Sequence, residues 1–545
     1  MSTPTTTETS RLPERTPRAA TRRQMLATSI ASGMFLFLPA CKIPTLRRPK
    51  CANELPASFE QTTAVNIGEP SADSSAQIPW CEFFNDPTLI SLINEGLAGN
   101  QELRILAEDI RIAQNEVLAR SGAYLPFFSL GSRAGLDKAS RYTRAGAVED
   151  QLQVAPGKGF PTPLPDFMVA TNITWEIDIW KRLRNAQSAA AYRYLGTREG
   201  WNFVITRLIA DIADNYYELL ALDNRMQILN QTIEIFQKSL TMMVDLKAAG
   251  RDTELGVQRF EAEVRRYESE KYIVQQRIIE IENEINFAVG RYPQFVERNN
   301  VDYINLNLHA LSAGVPSQLL QNRADIREAE RELSAAGLEV SVARARFYPS
   351  LVMSAGVGYE AFNTRYLFSS PESLIYNAAG ELVAPLINRR AIRADYMTAN
   401  AEQLQAVYSY QRTILNAFTE VINYMTAVRN YSEAIELKKK QLTALQTSVS
   451  IANDMFMTGR TTYIDVLLAN RDLMEARMVI VETKQKQLAA VVNAYQALGG
   501  GGAPTRSTGP STAEGAIEEI LVNPNVEVDP QASAQPSEIR PASAP

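Results

Sequence analysis

Two stretches of the chain place mostly apolar residues three and four apart. The first runs Leu219, Leu222, Met226, Leu229, Ile233, Phe236, Leu240 and Met243; past Gly250 it resumes at Val257, Phe260, Val264, Tyr267, Val274, Ile278, Ile281, Ile285 and Ala288, with Lys271 interrupting. Stripes sustained over so many turns predict helices packed as coiled coils. A second pair follows, with Val421, Tyr424, Val428, Tyr431, Ile435, Lys438, Leu442, Leu445, Val449, Ala452 and Phe456 on its outgoing helix. Its return helix carries a smaller, more polar seam through Val466, Leu473, Ile480, Thr483, Gln487, Ala490, Ala494 and Ala497. At 1.5 Å per residue, a helix over 183–249 is a rod of roughly 100 Å, the length of a spacer or a conduit wall.

Elsewhere the period changes to two. Val169, Thr171, Ile173, Trp175, Ile177 and Ile179 alternate with Ala170, Asn172, Thr174, Glu176 and Asp178. Leu351, Met353, Ala355, Val357 and Tyr359 alternate with Ser350, Ser354, Gly356, Gly358 and Glu360, and a weaker pattern lies within Leu374 to Leu386. These are two-faced strands long enough for an outer membrane; a half-buried soluble sheet gives a similar pattern. Trp180-Lys181-Arg182 favours the membrane, since aromatic and cationic residues gather at its interface. Asp178, Glu176 and Glu360 would then line a lumen. Each strand region is preceded by a helix of about 35 residues that ends where Tyr124-Leu125-Pro126 or Phe347-Tyr348-Pro349 forces extended backbone.

The plan is written twice. A shift of 223 lays Arg104, Ala113, Glu116, Val117, Pro126 and Gly135 on Arg327, Ala336, Glu339, Val340, Pro349 and Gly358. A shift of 207 lays Thr206, Leu208, Ala210 and Tyr217 on Thr413, Leu415, Ala417 and Tyr424, and one of 209 lays Gly250, Arg251, Thr253 and Val257 on Gly459, Arg460, Thr462 and Val466. The first copy therefore carries about 16 extra residues around Ala155-Pro156-Gly157-Lys158-Gly159.

The ends are different. Arg18, Arg22 and Arg23 precede an apolar run from Met25 to Ala40, the layout of an export signal and too short for a membrane span. The run ends in Leu38-Pro39-Ala40-Cys41, which resembles a bacterial lipobox with Cys41 as the lipidated first residue of the mature protein. A signal cut nearby with an ordinary cysteine left over fits the same residues. Thr21 to Leu26 resembles a twin-arginine motif, and a general-secretion signal with two arginines is the alternative. Lys42, in place of aspartate, fits sorting to an outer membrane. Cys51 and Cys81 are then free to bridge or to stay as thiols. From Gly499 onward the chain has a disordered composition. The organisation is a signal over 1–40, a lipidated segment over 41–87, repeats over 88–315 and 316–499, and a tail over 500–545.

Composition narrows the function. At 545 residues the chain has room for two to four ordinary domains unless long elements use up the length. With 55 basic against 61 acidic side chains, it lacks the cationic surface that nucleic acid requires. One histidine, His309, and three cysteines make a clustered metal or haem centre improbable. No phosphate-binding loop or triad pattern points to an enzyme, and no cofactor is expected. No stretch after the signal has about 18 uninterrupted apolar residues, so any later membrane crossing must be made by strands closed into a barrel. Four strands cannot close one, so the strands require an oligomer if they are in lipid.

The lipobox, the duplicated plan, the proline at each strand entry and the terminal Ala497-Leu498-Gly499-Gly500-Gly501 resemble the TolC/OprM/NodT outer-membrane factors of tripartite RND-type efflux pumps. The resemblance covers roughly residues 41 to 502. It implies a mainly α fold with membrane β: a homotrimer with a twelve-stranded β-barrel in the outer membrane and a long periplasmic α-helical barrel. It also implies passive conduction of substrates delivered by an inner-membrane transporter and a periplasmic adaptor. A type I protein secretion duct shares the fold. A periplasmic coiled-coil adaptor lipoprotein is the competitor from another class, though it would not repeat over two hundred residues.

Within the resemblance, Gly459 to Leu468 is similar to the hairpin at the closed periplasmic end of TolC. Asp465 matches the first of two gate aspartates, Leu468 stands at the second, and Phe456 replaces a gate tyrosine. The gate arginine position holds Thr461, beside Arg460, and Tyr463 lies within the same segment. Read physically, Asp465 is an acid at a helix N-terminus, where the dipole stabilises it; with three copies it is also a ring of carboxylates around an axis. The turns at Gly250, Arg251 and Thr253 and at Gly459, Arg460 and Thr462 are ordinary helix stops, which the resemblance assigns to adaptor contact.

Overall fold

The computed structural model of the chain describes residues 43–49, 55–56, 59, 74–299, 302–308, 311–385 and 389–501. Cys41, Cys51, His309 and the tail beyond Gly501 lie outside them. The first copy runs α1 (Trp80–Phe84), α2 (Pro87–Gly99), α3 (Gln101–Ala123), β1 (Phe127–Asp137), α4 (Arg144–Glu149), β2 (Gln153–Ala155), β3 (Lys158–Gly159), β4 (Leu164–Ile177), α5 (Arg182–Ala248) and α6 (Glu254–Val289). The second runs α7 (Leu319–Asn322), α8 (Ala324–Ala345), β5 (Ser350–Ala361), β6 (Leu374–Val383), α9 (Arg390–Met457) and α10 (Tyr463–Ala497). The extra residues of copy one form α4 and the β2–β3 hairpin. α5 and α9 have 67 and 68 residues, rods of roughly 100 Å each.

The four long strands make one antiparallel sheet in the order β1-β4-β5-β6, leaving β1 and β6 as open edges. Register sets its faces. Leu130, Thr171, Val357 and Tyr376 form one row across the sheet, and Ser129, Asn172, Gly356 and Asn377 form the next, on the opposite face. The first face is mainly apolar and aromatic. The second carries the Arg133–Asp166 ion pair at 2.5 Å, and a Cβ on Gly356 would lie 2.6 Å from the amide oxygens of both Asn172 and Asn377.

Two sequence expectations need correction. The predicted 35-residue helices are each broken, at Asn100 between α2 and α3 and at Arg323 between α7 and α8. The strand expected over 169–179 is shifted, because Asp178 leaves the sheet. Its carboxylate accepts from the backbone N–H groups of Leu183 at 3.0 Å and Arg184 at 2.9 Å, so it caps α5 instead of facing a lumen. The fourth strand lies where expected within 374–386, as β6 from Leu374 to Val383. Cys81 is a free thiol.

Helix packing gives a layer. α3 and α6 stack end to end as one stave, α5 is the next, α8 and α10 form the third, and α9 is the outermost. Both end-to-end joints use a left-handed glycine pressed on the facing helix end. A Cβ on Gly290 (φ 83°) would lie 2.3 Å from the Gly99 carbonyl oxygen, and one on Gly499 (φ 92°) would lie 2.8 Å from Asn322. Between the joints, Tyr495 stacks on Phe83 at 4.0 Å and donates its hydroxyl to the Ile78 carbonyl at 2.6 Å. That belt closes the core around Tyr216, Tyr217 and Tyr303.

Candidate functional site

The end of the helix layer farthest from the sheet is made by two turns. Each long helix stops in a six-residue motif with glycine in the left-handed region, φ 70° at Gly250 and 69° at Gly459. Gly250 N–H donates to Lys247 and Arg251 N–H to Leu246; Gly459 N–H donates to Phe456 and Arg460 N–H to Met455, all at 2.9 Å. These are Schellman closures, which satisfy the last carbonyls of a helix. Thr253 and Thr462 then begin the return helices as N-caps.

Side chains differ between the turns. Asp465 is the third residue of α10 and forms a capping box, with its carboxylate accepting from the hydroxyls of Thr461 and Thr462 and from the Thr462 N–H at 3.3 Å. Those bonds, the Thr461 hydroxyl first, hold its carboxyl below the ordinary carboxylate range. Leu468 is exposed on the same helix. Tyr463 points the other way: it is buried, stacks on Phe260 of α6 at 5.2 Å and donates to Ser239 Oγ of α5 at 2.9 Å. Phe456 packs edge-on to it at 4.8 Å. So Asp465 and Leu468 are exposed while Phe456 and Tyr463 lock the two hairpins together.

At the belt, sequence reasoning missed a pair of splices. Asn100 and Arg323 stand at equivalent positions, and they bond to equivalent carbonyls. Asn100 Nδ2 donates to the Ala288 oxygen at 2.8 Å and Arg323 Nη1 to the Ala497 oxygen at 2.9 Å, tying each return helix to the helix stacked on it. Arg323 also reaches Asp325 at 2.7 Å and Glu420 at 2.8 Å, so it joins α8, α9 and α10. Asp214 of α5 lies near the same belt, pushed up to about 6 first by burial and then by Glu218. Lys484 of α10 is buried with Gln487 Oε1 at 2.9 Å as its nearest partner, and burial brings it down to about 8.

Among the described residues no group of acids, histidines or cysteines is placed to hold a metal, and no helix is long and apolar enough to cross a membrane.

Known proteins share this arrangement. The chain is 25% identical over 467 residues to the cation efflux system protein CusC of Escherichia coli K12, covering 86% of this chain and 97% of that protein. It is 27% identical over 473 residues to the pyoverdine export outer membrane protein OpmQ of Pseudomonas putida, covering 86% and 98%. The solved CmeC outer membrane channel of Campylobacter jejuni has the same fold, with a TM-score of 0.74 at 18% identity over 88% of this chain and 98% of that one. The family model for outer membrane efflux proteins matches residues 92–291 and 315–500, one stretch for each copy of the repeat. The chain therefore belongs to the outer membrane efflux protein family, and its function is that of an outer-membrane efflux channel.

Proposed function

We propose that three copies of this chain form one duct, which passively conducts what an inner-membrane transporter and a periplasmic adaptor deliver to it. The observation that carries the reading is the open four-stranded sheet, apolar on one face, with unpaired β1 and β6 edges. An open edge in lipid leaves backbone groups without partners, so β6 of one copy must meet β1 of the next. Three copies supply twelve strands. The helix layer supports the same ring, because its edge staves expose apolar residues seven apart: Ile105 and Ile112 on α3, Tyr408 and Leu415 on α9. One edge seals the other.

In this duct Cys41 carries the lipid that helps hold the chain to the outer membrane. Gly250, Arg251, Thr253, Gly459, Arg460 and Thr462 meet the adaptor, and three Asp465 carboxylates and three Leu468 side chains narrow the periplasmic end. Phe456 and Tyr463 act on that constriction from behind, by setting where α10 lies against α5 and α6. Cargo varies among relatives of similar identity, since one is a cation efflux system protein and another a pyoverdine export protein.

Heat-resistant trimers on a native gel, together with single-channel conductance in planar bilayers, test the reading. Monomers that conduct nothing would overturn it.

A further inference from the structure

The described N-terminal residues lie along α8 and α9, below the sheet. Ile43 and Leu46 pack into the cluster of Val340, Ala343, Phe347, Tyr396 and Ala399. Farther from the sheet, Phe59 stacks on Phe418 at 5.2 Å. From Tyr396 to Phe418, α9 rises roughly 33 Å, so the two contacts are well separated along it.

One polar contact fixes this strap. Asn400 is 2% exposed. Its Oδ1 accepts from the Arg47 N–H at 2.9 Å and its Nδ2 donates to the Arg47 carbonyl at 3.2 Å. A buried amide is costly unless paired, and here one backbone unit satisfies both ends. Ile43 and Leu46 supply apolar contact, which tolerates sliding. The two-bond pairing does not, since a slip of one residue breaks both bonds. Asn400 thus sets the register of the strap, and register sets height. Two residues of chain reach at most about 7 Å, which bounds how far a lipid on residue 41 can stand from Ile43. The cluster that receives Ile43 ends at Phe347, three residues before β5 begins at Ser350. At the same junction Trp180 stacks on Tyr348 at 4.5 Å and donates to the Pro349 carbonyl at 2.8 Å, the aromatic pattern of a membrane interface.

We propose that Asn400 is a positioning residue for the lipid: by latching the strap at Arg47 it delivers the acyl chains on residue 41 into the inner leaflet beside the rim of the barrel, where they steady strand insertion. This rests on the proposed lipidation of Cys41, which mass spectrometry of the mature N-terminus reads separately; an unmodified residue 41 overturns both readings. The latch is tested in the full-length protein with Asn400→Ala and, from the strap side, Arg47→Pro, which removes the N–H without touching α9. Hydrogen exchange of the 43–49 segment should quicken on the order of tenfold in either variant. The yield of heat-resistant trimer in the outer membrane should fall in the lipidated protein, yet stay unchanged when the same variants are made in Cys41→Ser exported behind a non-lipoprotein signal. Unchanged exchange in both variants means there is no latch. An equal loss of trimer with and without the lipid makes Asn400 an ordinary packing residue and overturns the proposal.

Discussion

The two turns at the periplasmic end share one backbone and solve it with opposite chemistry. Where the first has Lys247 and Glu254, an exposed ion pair across the turn, the second has Phe456 and Tyr463, an aromatic pair turned inward. Where the first supplies a carboxylate to its return helix from Asp252 before the cap, the second supplies one from Asp465 within the helix. The facing positions are exchanged to match: Gly256 leaves room beside Asp252, and Thr461 donates its hydroxyl to Asp465. The duplicated backbone requires a glycine, a threonine cap and an acid. It does not require the aromatic lock. What copy two adds is therefore the tie between hairpins, and that tie is the part of the tip that can carry a gate's position.

The largest asymmetry to break is at the belt. Asn100 makes a neutral splice, whereas Arg323 is a buried cation shared by Asp325, Glu420 and a helix end, and its guanidinium is held above the ordinary range by those two acids despite burial. Removing one side of such a cluster strands the others. Arg323→Ala should cost about 3–5 kcal/mol, against about 1–2 kcal/mol for Asn100→Ala, read from denaturant unfolding of the detergent-solubilised protein. Arg323→Asn, which gives joint two the residue of joint one, should not rescue it, because the shorter amide leaves Glu420 and Asp325 unpaired. Equal costs at the two joints would mean the arginine acts only as a cap.

At the tips, Tyr463→Ala should cost about 3 kcal/mol through lost packing on Phe260 and Phe456, and it should raise the resting conductance of the trimer. Lys247→Ala, at the position of Phe456, should cost at most about 1 kcal/mol, since exposed ion pairs contribute little. Tyr463→Phe isolates the Ser239 bond. A closed channel with the alanine in place would remove the aromatic pair from any role in the gate.

Much of this was legible beforehand because repetition and periodicity are long-range signals. The rods, the strand rows, both Gly turns and the extra residues of the first copy all follow from spacing. The joints were also written, in Gly99-Asn100 and Asn322-Arg323 at matching places, a helix stop followed by a start. They were overridden by the apolar periodicity running through them. Asp178 was misread because alternation continues past the last sheet bond, and only the following helix reveals that its carboxylate is a cap. The resemblance puts Tyr463 in the gate segment, but the sequence does not say which way its ring points. Its position on the return helix suits a gate or a core equally, and its partners, Phe260 and Ser239, come from the other copy.

The long helices differ in their response to pH. Asp214 of α5 stands where α9 has the fully buried Val421. Its unfolded carboxyl ionises near 3.8 and its folded one near 6, because burial and then Glu218 disfavour the charge. The unfolded chain gives up this proton first, so stability falls as pH rises from about 4 to about 6 and stays reduced above. Asp214→Asn should flatten that slope and gain on the order of 2 kcal/mol at pH 7.5, with little change at pH 4. A slope that survives the substitution belongs to other groups.

Replacing Gly250 or Gly459 with valine should cost about 1 kcal/mol each. Neither position has a heavy atom within 4 Å of a new Cβ, so the penalty is conformational alone and should be equal at the two turns. Trimers should persist while co-purification of the cognate adaptor weakens. Unchanged capture would leave both as simple helix stops.

The smallest effect on stability separates cap from gate most sharply. Asp252 and Asp465 serve the same structural need, so alanine at either should perturb unfolding slightly and alike, with Asp465's share lost as pH falls through its depressed pKa. Conduction should distinguish them. In the proposed trimer the Asp465 carboxylates, rather than those of Asp252, ring the axis, and crowded like charges favour a bound cation or a proton, opposing the hydrogen bonds that hold each one ionised. A divalent ion added on the periplasmic side should block the wild-type trimer, and Asp465→Ala should relieve the block and reduce cation preference. Asp252→Ala should leave both untouched. Because Leu468 provides no second acidic ring, the block should be weak and readily reversed by voltage. If the two alanine variants behave alike in planar-bilayer recordings, Asp465 is a helix-start acid like its counterpart, and the constriction lies with Leu468 and the aromatic lock behind it.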